Sequence, residues 1–82
     1  MPVPELILYV STYCSSCMKV TGYLKKRGIP LPLRNVSGEA RFREELVRIG
    51  GKSQVPCLVI DGKALYESDD IIRWLQENWK SP

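Results

Sequence analysis

Two cysteines three positions apart, Cys14 and Cys17, are the residues of this sequence best suited to chemistry. They stand between the apolar run Leu6–Val10, which predicts a strand, and the helix-forming stretch Met18–Arg27. At the start of a helix, free backbone N–H groups and the positive end of the dipole favour a thiolate over a neutral thiol. We therefore expect Cys14 to be an acidic nucleophile. Cys17, almost one helical turn further on, is expected to attack the mixed disulfide that forms on Cys14.

Zinc binding and plain core packing are the alternatives for the same two cysteines. A Cys-x-x-Cys pair is half of a common zinc site, and small cysteines often fill cores. A structural zinc site needs four ligands, whereas this chain has no histidine and only one further cysteine, Cys57. One chain cannot complete the usual tetrahedron, so redox chemistry is the preferred interpretation and no metal ligand is predicted from the residues alone.

The composition is that of one small globular domain, residues 1–82. Of these 82 residues, 44% are apolar and 26% are charged, which is enough for one modest core. The net charge of +3 is mild and the basic residues are scattered, so nucleic acid is not an expected partner. The sequence has neither a long apolar run nor a signal-type leader. We therefore expect no membrane association and a cytoplasmic location, where dithiols are kept reduced.

Periodicity and turn residues predict the element order βαβαββα. Pro32 lacks a backbone donor, which assigns the strand-like segment 31–36 to a sheet edge. Asp61-Gly62, between two short apolar runs, predicts a tight hairpin turn. Ser37 and Ser68 are expected to cap the second and third helices, and residues 1–4 to form an extended lead-in. The apolar stripes of the helices are expected at Cys17, Val20 and Leu24, at Phe42, Leu46 and Ile49, and at Ile71 or Ile72 with Leu75 and Trp79.

The combination of these features resembles the glutaredoxins, which are small members of the thioredoxin-fold superfamily. The features are the Cys-x-x-Cys at a helix start, the βαβ unit, Val55-Pro56 before a hairpin, and a last helix opened by Ser68-Asp69-Asp70. The segment from Val55 to Ser68 is also similar to the glutathione-binding half of glutathione transferase N-terminal domains. The resemblance implies an α/β, thioredoxin-like fold over nearly the whole chain, in which three helices flank a four-stranded mixed sheet.

A glutathione site is implied by the same resemblance. The Val55-Pro56 bond should be cis and lie beside Cys14, so that the backbone of Val55 pairs with the cysteine residue of glutathione. Ser68 and Asp69 match positions that hold the γ-glutamyl carboxylate and amine, and Glu67 is expected to share the ammonium. Tyr13 completes the expected glutathione-binding set. As electrostatic support, the resemblance implies that Lys19 adds positive potential near the Cys14 thiolate, and Lys52 is expected to reach the glycine carboxylate of glutathione. The alternatives are a trans proline, a Ser68 that only caps its helix, acidic residues that only complement the dipole, and solvated lysines.

Departures from the glutaredoxin pattern leave three assignments open. Ser15 and Ser16 replace the usual Pro-Tyr between the cysteines. Members of that family with serine in place of this proline include some that hold a [2Fe–2S] cluster between two subunits, with the first cysteine and glutathione as ligands. Cys14 is therefore an alternative cluster ligand. No basic residue stands shortly before Cys14, which leaves the partner of the glycine carboxylate of glutathione open. Cys57 is either an inert core residue, or a third redox thiol or metal ligand.

The leading interpretation is a glutathione-dependent thiol–disulfide oxidoreductase that reduces protein disulfides or glutathione mixed disulfides through Cys14 and Cys17. Its expected partners are glutathione, as reductant, and disulfide-bonded or glutathionylated proteins. A monomer is expected unless a cluster joins two copies. The alternatives are a dimeric [2Fe–2S] cluster-binding or cluster-transfer protein and a thioredoxin-like electron donor.

Overall fold

The computed structural model describes residues 5–79, which form seven elements in the expected order. The extended lead-in predicted for residues 1–4 lies outside the described part of the chain. The strands are β1 (Leu6–Val10), β2 (Leu33–Asn35), β3 (Cys57–Ile60) and β4 (Lys63–Tyr66), and the helices are α1 (Ser15–Arg27), α2 (Ala40–Gly50) and α3 (Ser68–Asn78).

The four strands form one mixed sheet in the order β2-β1-β3-β4. β1 pairs with β2 in parallel, with Leu8 opposite Leu33, and with β3 in antiparallel, with Leu8 opposite Leu58. β3 and β4 form the predicted hairpin around Asp61-Gly62. β2 lies at an edge, as the missing donor of Pro32 predicted.

The side chains of the central strands alternate between two separate apolar clusters on opposite faces of the sheet. On one face, Leu8 of β1 and Leu58 of β3 pack with residues of α1 and α3, which also contact each other. On the other face, Tyr9 and Cys57 pack with Leu46 of α2. Because burying one large apolar side chain contributes about 1.5–3 kcal/mol, these two layers hold the three helices in place. The predicted stripe residues that are buried are Cys17, Val20, Leu24, Leu46, Ile71 and Leu75.

Glycines in the left-handed conformation terminate α1 and α2. The C-cap of α1 is Gly28, which has φ 66° and donates its N–H to the last turn. The C-cap of α2 is Gly51, with φ 86°. Gly50 permits a close approach to β4, since a Cβ added there would lie 2.9 Å from the Cβ of Ala64. The C-terminus of α2 is thereby packed directly onto the β3–β4 hairpin.

The prediction that Ser37 caps the second helix is wrong. The Asn35 side chain accepts hydrogen bonds from the N–H of Ser37 at 2.8 Å and from that of Gly38 at 3.3 Å, which forms a turn and delays the helix. The Ser37 hydroxyl pairs instead with the hydroxyl of Ser11 at 2.7 Å. The N-cap of α2 is Glu39, whose side chain makes no capping hydrogen bond.

Two further expectations about the helices also need correction. Ser68 is the first residue of α3 rather than its cap, and the N-cap is Glu67, again without a side-chain capping bond. Ile49, on the predicted stripe of the second helix, is 38% exposed, whereas Leu46 of the same stripe is buried. Among the described residues, no helix is long and apolar enough to cross a membrane.

Candidate functional site

The chain delivers Cys14 to the N-terminus of α1 by way of a short turn after β1. Cys14 is the N-cap of the helix, with φ −146°, and its Sγ accepts a hydrogen bond from the N–H of Cys17 at 3.1 Å. The helix begins at Ser15, directly after Cys14 and three residues before the helix-forming stretch Met18–Arg27, so both serines of the motif belong to its first turn. The sulfur therefore occupies the position at which helix N–H groups stabilise negative charge.

Cys14 and Cys17 are joined as a disulfide, with their Cα atoms 5.1 Å apart. Their surroundings differ. Cys14 is half-buried, whereas Cys17 is 2% exposed and packs in the α1/α3 layer with Val20 and Leu24. This arrangement is expected of a pair in which one sulfur is accessible to other molecules and the second sulfur is accessible only to the first.

The loop before β3 lies beside the disulfide. The Val55-Pro56 peptide bond is cis, as the resemblance implied, and the carbonyl oxygen of Val55 is 4.0 Å from the Sγ of Cys14. Within residues 5–79, neither the N–H nor the C=O of Val55 makes a hydrogen bond to another backbone group. Tyr13, next to Cys14 on the other side, is 98% exposed. The structure thus brings Cys14, Val55 and Pro56 together, with an edge of free backbone next to the sulfur.

The start of α3, with its N-cap Glu67, is the second segment that is expected to take part in the site. Glu67 has φ 73°, in the left-handed region that costs a non-glycine residue about 1 kcal/mol or more. Its carboxylate accepts a hydrogen bond from the side-chain amide of Gln54 at 3.0 Å, and its carbonyl accepts the N–H of Ile71. Sequence reasoning missed Gln54. Its place directly before Val55-Pro56 was visible in the sequence, but the contact joins residues 13 positions apart and had no local signal.

The two lysines predicted to support the site have other partners. The ammonium of Lys19 forms an ion pair with the carboxylate of Asp69, and this hydrogen bond and charge lower the pKa of Asp69. The ammonium of Lys52 lies over the ring of Tyr66, 4.5 Å from its centroid. The Tyr66 hydroxyl in turn donates a hydrogen bond to the carbonyl of Lys52 at 3.0 Å. The Lys19 charge is therefore directed to α3, and the Lys52 charge to β4.

Cys57 belongs to the opposite layer of the core. Its side chain is 0% exposed and packs with Tyr9 and Leu46 on the α2 face, while Cys17 packs on the other face. Burial raises the pKa of Cys57 to about 11. Of the two alternatives left open by the sequence, the structure places Cys57 in the core. Within the described residues, no group of three His, Cys, Asp or Glu side chains is arranged to hold a metal ion.

A mixed four-stranded sheet, three helices and a cysteine pair at the first helix define a thioredoxin-like fold, which glutaredoxins and other thioredoxin-like proteins share. Within that class, residues 8–82 match the family model described as "Glutathione S-transferase, N-terminal domain". The chain belongs to this family and is glutaredoxin-like.

Three relatives illustrate the similarity. Glutaredoxin 3 of Escherichia coli strain K12 is 27% identical over 64 residues, which cover 78% of this chain and 77% of that protein. An uncharacterized glutaredoxin-like 8.6 kDa protein from the rubredoxin operon of Clostridium pasteurianum is 33% identical over 58 residues, 71% of this chain and 77% of the relative. The crystal structure of human glutathione transferase theta-2, in complex with glutathione and an unknown ligand, superposes with a TM-score of 0.79 and 28% identity. This superposition covers 94% of this chain and 32% of the transferase chain.

Proposed function

We propose that this protein is a glutathione-dependent thiol–disulfide oxidoreductase that reduces protein disulfides or glutathione mixed disulfides through Cys14 and Cys17. The observation that carries the proposal is the position of the Cys14 sulfur. It caps the N-terminus of α1, accepts the N–H of Cys17, and lies 4.0 Å from the free carbonyl of Val55. Glutaredoxins among the relatives of this chain support the same class of reaction.

The reaction is a pair of thiol–disulfide exchanges. The Cys14 thiolate attacks the glutathione sulfur of a protein–glutathione disulfide, which releases the protein as a thiolate and leaves glutathione disulfide-bonded to Cys14. A second glutathione, as its thiolate, then attacks the glutathione sulfur of this intermediate. Oxidised glutathione leaves, and Cys14 returns to a thiolate. For a protein disulfide, the Cys14 thiolate attacks one sulfur and releases the other as a thiolate, which leaves a mixed disulfide between Cys14 and the protein. Cys17, as its thiolate, then attacks the sulfur of Cys14 and releases the second protein thiolate. Two molecules of glutathione reduce the resulting Cys14–Cys17 disulfide and leave as oxidised glutathione.

Activation of Cys14 must come from electrostatics, because the chain has no histidine that could act as a base. The N–H of Cys17 and the dipole of α1 stabilise the thiolate at its N-cap position. Ser15 and Ser16 add two further N–H groups in the first turn. Lys19 does not contribute to this stabilisation, since its charge is paired with that of Asp69.

The glutathione tripeptide is proposed to lie along Val55 and the start of α3. The free N–H and C=O of Val55, held by the cis bond to Pro56, would pair with the cysteine residue of glutathione as an added strand. The N–H groups at Ser68 suit the γ-glutamyl carboxylate, while Glu67 and Asp69 suit the ammonium. The similarity to a transferase that was solved in complex with glutathione supports this placement.

The remaining proposed contacts lie at the edges of the site. Tyr13, which is 98% exposed, would cover the ligand from the side of the cysteines. Lys52 would reach the glycine carboxylate only by leaving the ring of Tyr66. The reductant is proposed to be the glutathione pool of the cytoplasm, with the protein acting as a monomer.

The [2Fe–2S] alternative places different demands on the same residues. Such a cluster needs four ligands, and it would supply one-electron redox chemistry or be passed on to an acceptor. Cys14 is suited to be one ligand, since its sulfur is half-buried, whereas Cys17 and Cys57 are buried on opposite faces of the sheet. One chain therefore offers one suitable thiolate, and a cluster would require a second copy and two further thiols.

A glutathione-coupled assay tests the proposed function. Wild type should reduce a mixed disulfide between glutathione and a small thiol, with oxidised glutathione measured as product. Cys14→Ser should fall to the uncatalysed rate. Cys17→Ser should reduce the mixed disulfide at a rate within about threefold of the wild-type rate, because that reaction needs only one thiol. The same variant should no longer reduce a protein disulfide.

The same samples separate the alternatives. Equal activity of the two cysteine variants would contradict the division of labour between Cys14 and Cys17. Turnover with a thioredoxin-type reductase but not with glutathione would favour the thioredoxin-like electron donor. Visible absorbance after anaerobic purification with glutathione, lost in Cys14→Ser, would favour the cluster-binding protein.

A further inference from the structure

We infer that Lys19 is an internal competitor of glutathione: its ammonium holds Asp69 in the free protein and must leave before the γ-glutamyl ammonium can bind there. This inference rests on the proposed function, because it concerns the affinity of the same site. It gives Lys19 a role in setting ligand affinity that is distinct from support of the thiolate.

The contact between Lys19 and Asp69 joins the two helices that frame the site. Lys19 lies on α1, two residues after Cys17, and Asp69 is the second residue of α3. The two helices contact each other directly. The Lys19 ammonium donates to one carboxylate oxygen of Asp69, which places a cation where the proposed ligand also presents one.

The ion pair is suited to be displaced. The side chain of Lys19 is 56% exposed and that of Asp69 is 73% exposed, and ion pairs with this exposure are weak because water competes for both charges. Lys19 can therefore swing into solvent at little cost. A ligand ammonium that is anchored by other contacts would then take its place at Asp69.

The neighbouring carboxylate of Glu67 has a different partner. It accepts a hydrogen bond from the neutral amide of Gln54, so no cation offsets its charge in this contact. Asp69, in contrast, has its pKa lowered by Lys19 and to a smaller degree by Arg73. The two acids expected to share the ligand ammonium are thus unequal in the free protein, and Lys19 is the cause.

Equilibrium binding to the reduced protein tests this competition without any turnover. The probe is S-methylglutathione, which has the ammonium but no thiol to exchange, and affinity is read from a chemical-shift titration. Removing the competitor in Lys19→Met should tighten binding about two- to fivefold, the range expected when one exposed ion pair is lost. Lys19→Arg should bind like wild type. Lys26→Met, which removes a charge further along the same helix, is the matched control and should also bind like wild type.

A second probe shows whether the gain depends on the ammonium. An S-methylglutathione analogue with hydrogen in place of the amino group does not compete with Lys19, so Lys19→Met should bind it no more tightly than wild type does. The pH dependence of Cys14 alkylation is measured alongside and should not differ between Lys19→Met and wild type.

Two kinds of failure can be told apart. If S-methylglutathione binds but Lys19→Met has no higher affinity for it than wild type, or gains the same affinity for both probes, Lys19 does not compete with the ligand ammonium. The proposed function is then unaffected. If Lys19→Met instead shifts the alkylation profile of Cys14 to higher pH without tightening binding, Lys19 supports the thiolate. If neither wild type nor any variant binds S-methylglutathione, the competition and the glutathione site are both wrong.

Discussion

The two faces of the sheet carry cysteines in contrasting environments. On the α1/α3 face, the chain ends a strand at Val10 and starts a helix at Ser15, which leaves Cys14 at a helix N-terminus with its sulfur half-buried. On the α2 face, Cys57 opens β3 in the middle of an apolar layer, where it is 0% exposed and its pKa is raised to about 11.

This contrast shows that the surroundings of a thiol follow from its position on the backbone. Cys57 follows the cis-proline directly and lies only two residues from Val55, the residue nearest the Cys14 sulfur. The alternation of side chains along β3 nevertheless turns Cys57 to the far side of the sheet. Nearness in sequence to the site therefore does not make Cys57 part of it.

The polar contacts of the helices also differ in exposure between the two faces. On the α2 face, Arg34 donates to Glu45 at 2.7 Å and to the hydroxyl of Tyr9 at 3.1 Å, in a half-buried network. On the α1/α3 face, the Lys19–Asp69 pair lies in solvent. The face with the Cys14–Cys17 pair thus has the more exposed ion pair.

The largest expected contrast between the faces is in thiol reactivity. With a pKa of about 11, only about one Cys57 in a thousand is a thiolate at pH 8, and burial restricts access further. Iodoacetamide should therefore modify Cys14 in the reduced native protein and leave Cys57 unmodified, as read by mass spectrometry of peptides. In urea, Cys57 should react as well.

The variant Cys57→Ala provides the control for this contrast. It should take up one fewer equivalent of iodoacetamide in urea and the same number in the native state. Modification of Cys57 in the native protein at a rate close to that of Cys14 would show that the two faces do not differ as described.

A smaller contrast is expected in the acid dependence of stability. Lys19 lowers the pKa of Asp69, so the stabilising contact is fully present above the unfolded pKa, near 3.9, and is lost as the pH falls through the lowered folded value. The free energy of unfolding should therefore fall less steeply in Asp69→Asn than in wild type below about pH 4. Urea unfolding at a series of pH values measures this, with Asp70→Asn as the neighbouring control. An identical acid slope in wild type and Asp69→Asn would mean that the pair contributes nothing to stability.

Much of the fold was predictable because its signals are local. The apolar run Leu6–Val10, the missing donor of Pro32 and the Asp61-Gly62 turn each specify one feature, and the structure contains all three. The cysteine pair at a helix start was likewise visible, and the helix begins at Ser15, directly after Cys14.

The predictions that failed depended on side-chain hydrogen bonds that compete with the predicted ones, some of them between residues far apart in sequence. Ser37 had the type and position of a helix cap. However, the Asn35 side chain accepts a hydrogen bond from its N–H, and the hydroxyl of Ser11 pairs with its hydroxyl. Nothing local in the sequence indicates that Lys19 meets Asp69, since 50 positions separate them. The glutathione-binding assignments came from a family resemblance, and they remain proposals for the experiments above.

The pH dependence of Cys14 alkylation shows whether the N-terminus of α1 makes this cysteine a thiolate. In reduced Cys57→Ala protein, the rate at Cys14 and at Cys17 would be followed separately from acidic to alkaline pH. We expect Cys14 to react as a thiolate already around neutral pH and far faster than Cys17, because its sulfur caps α1. Reaction of Cys14 only in alkaline solution, in parallel with Cys17, would contradict this expectation.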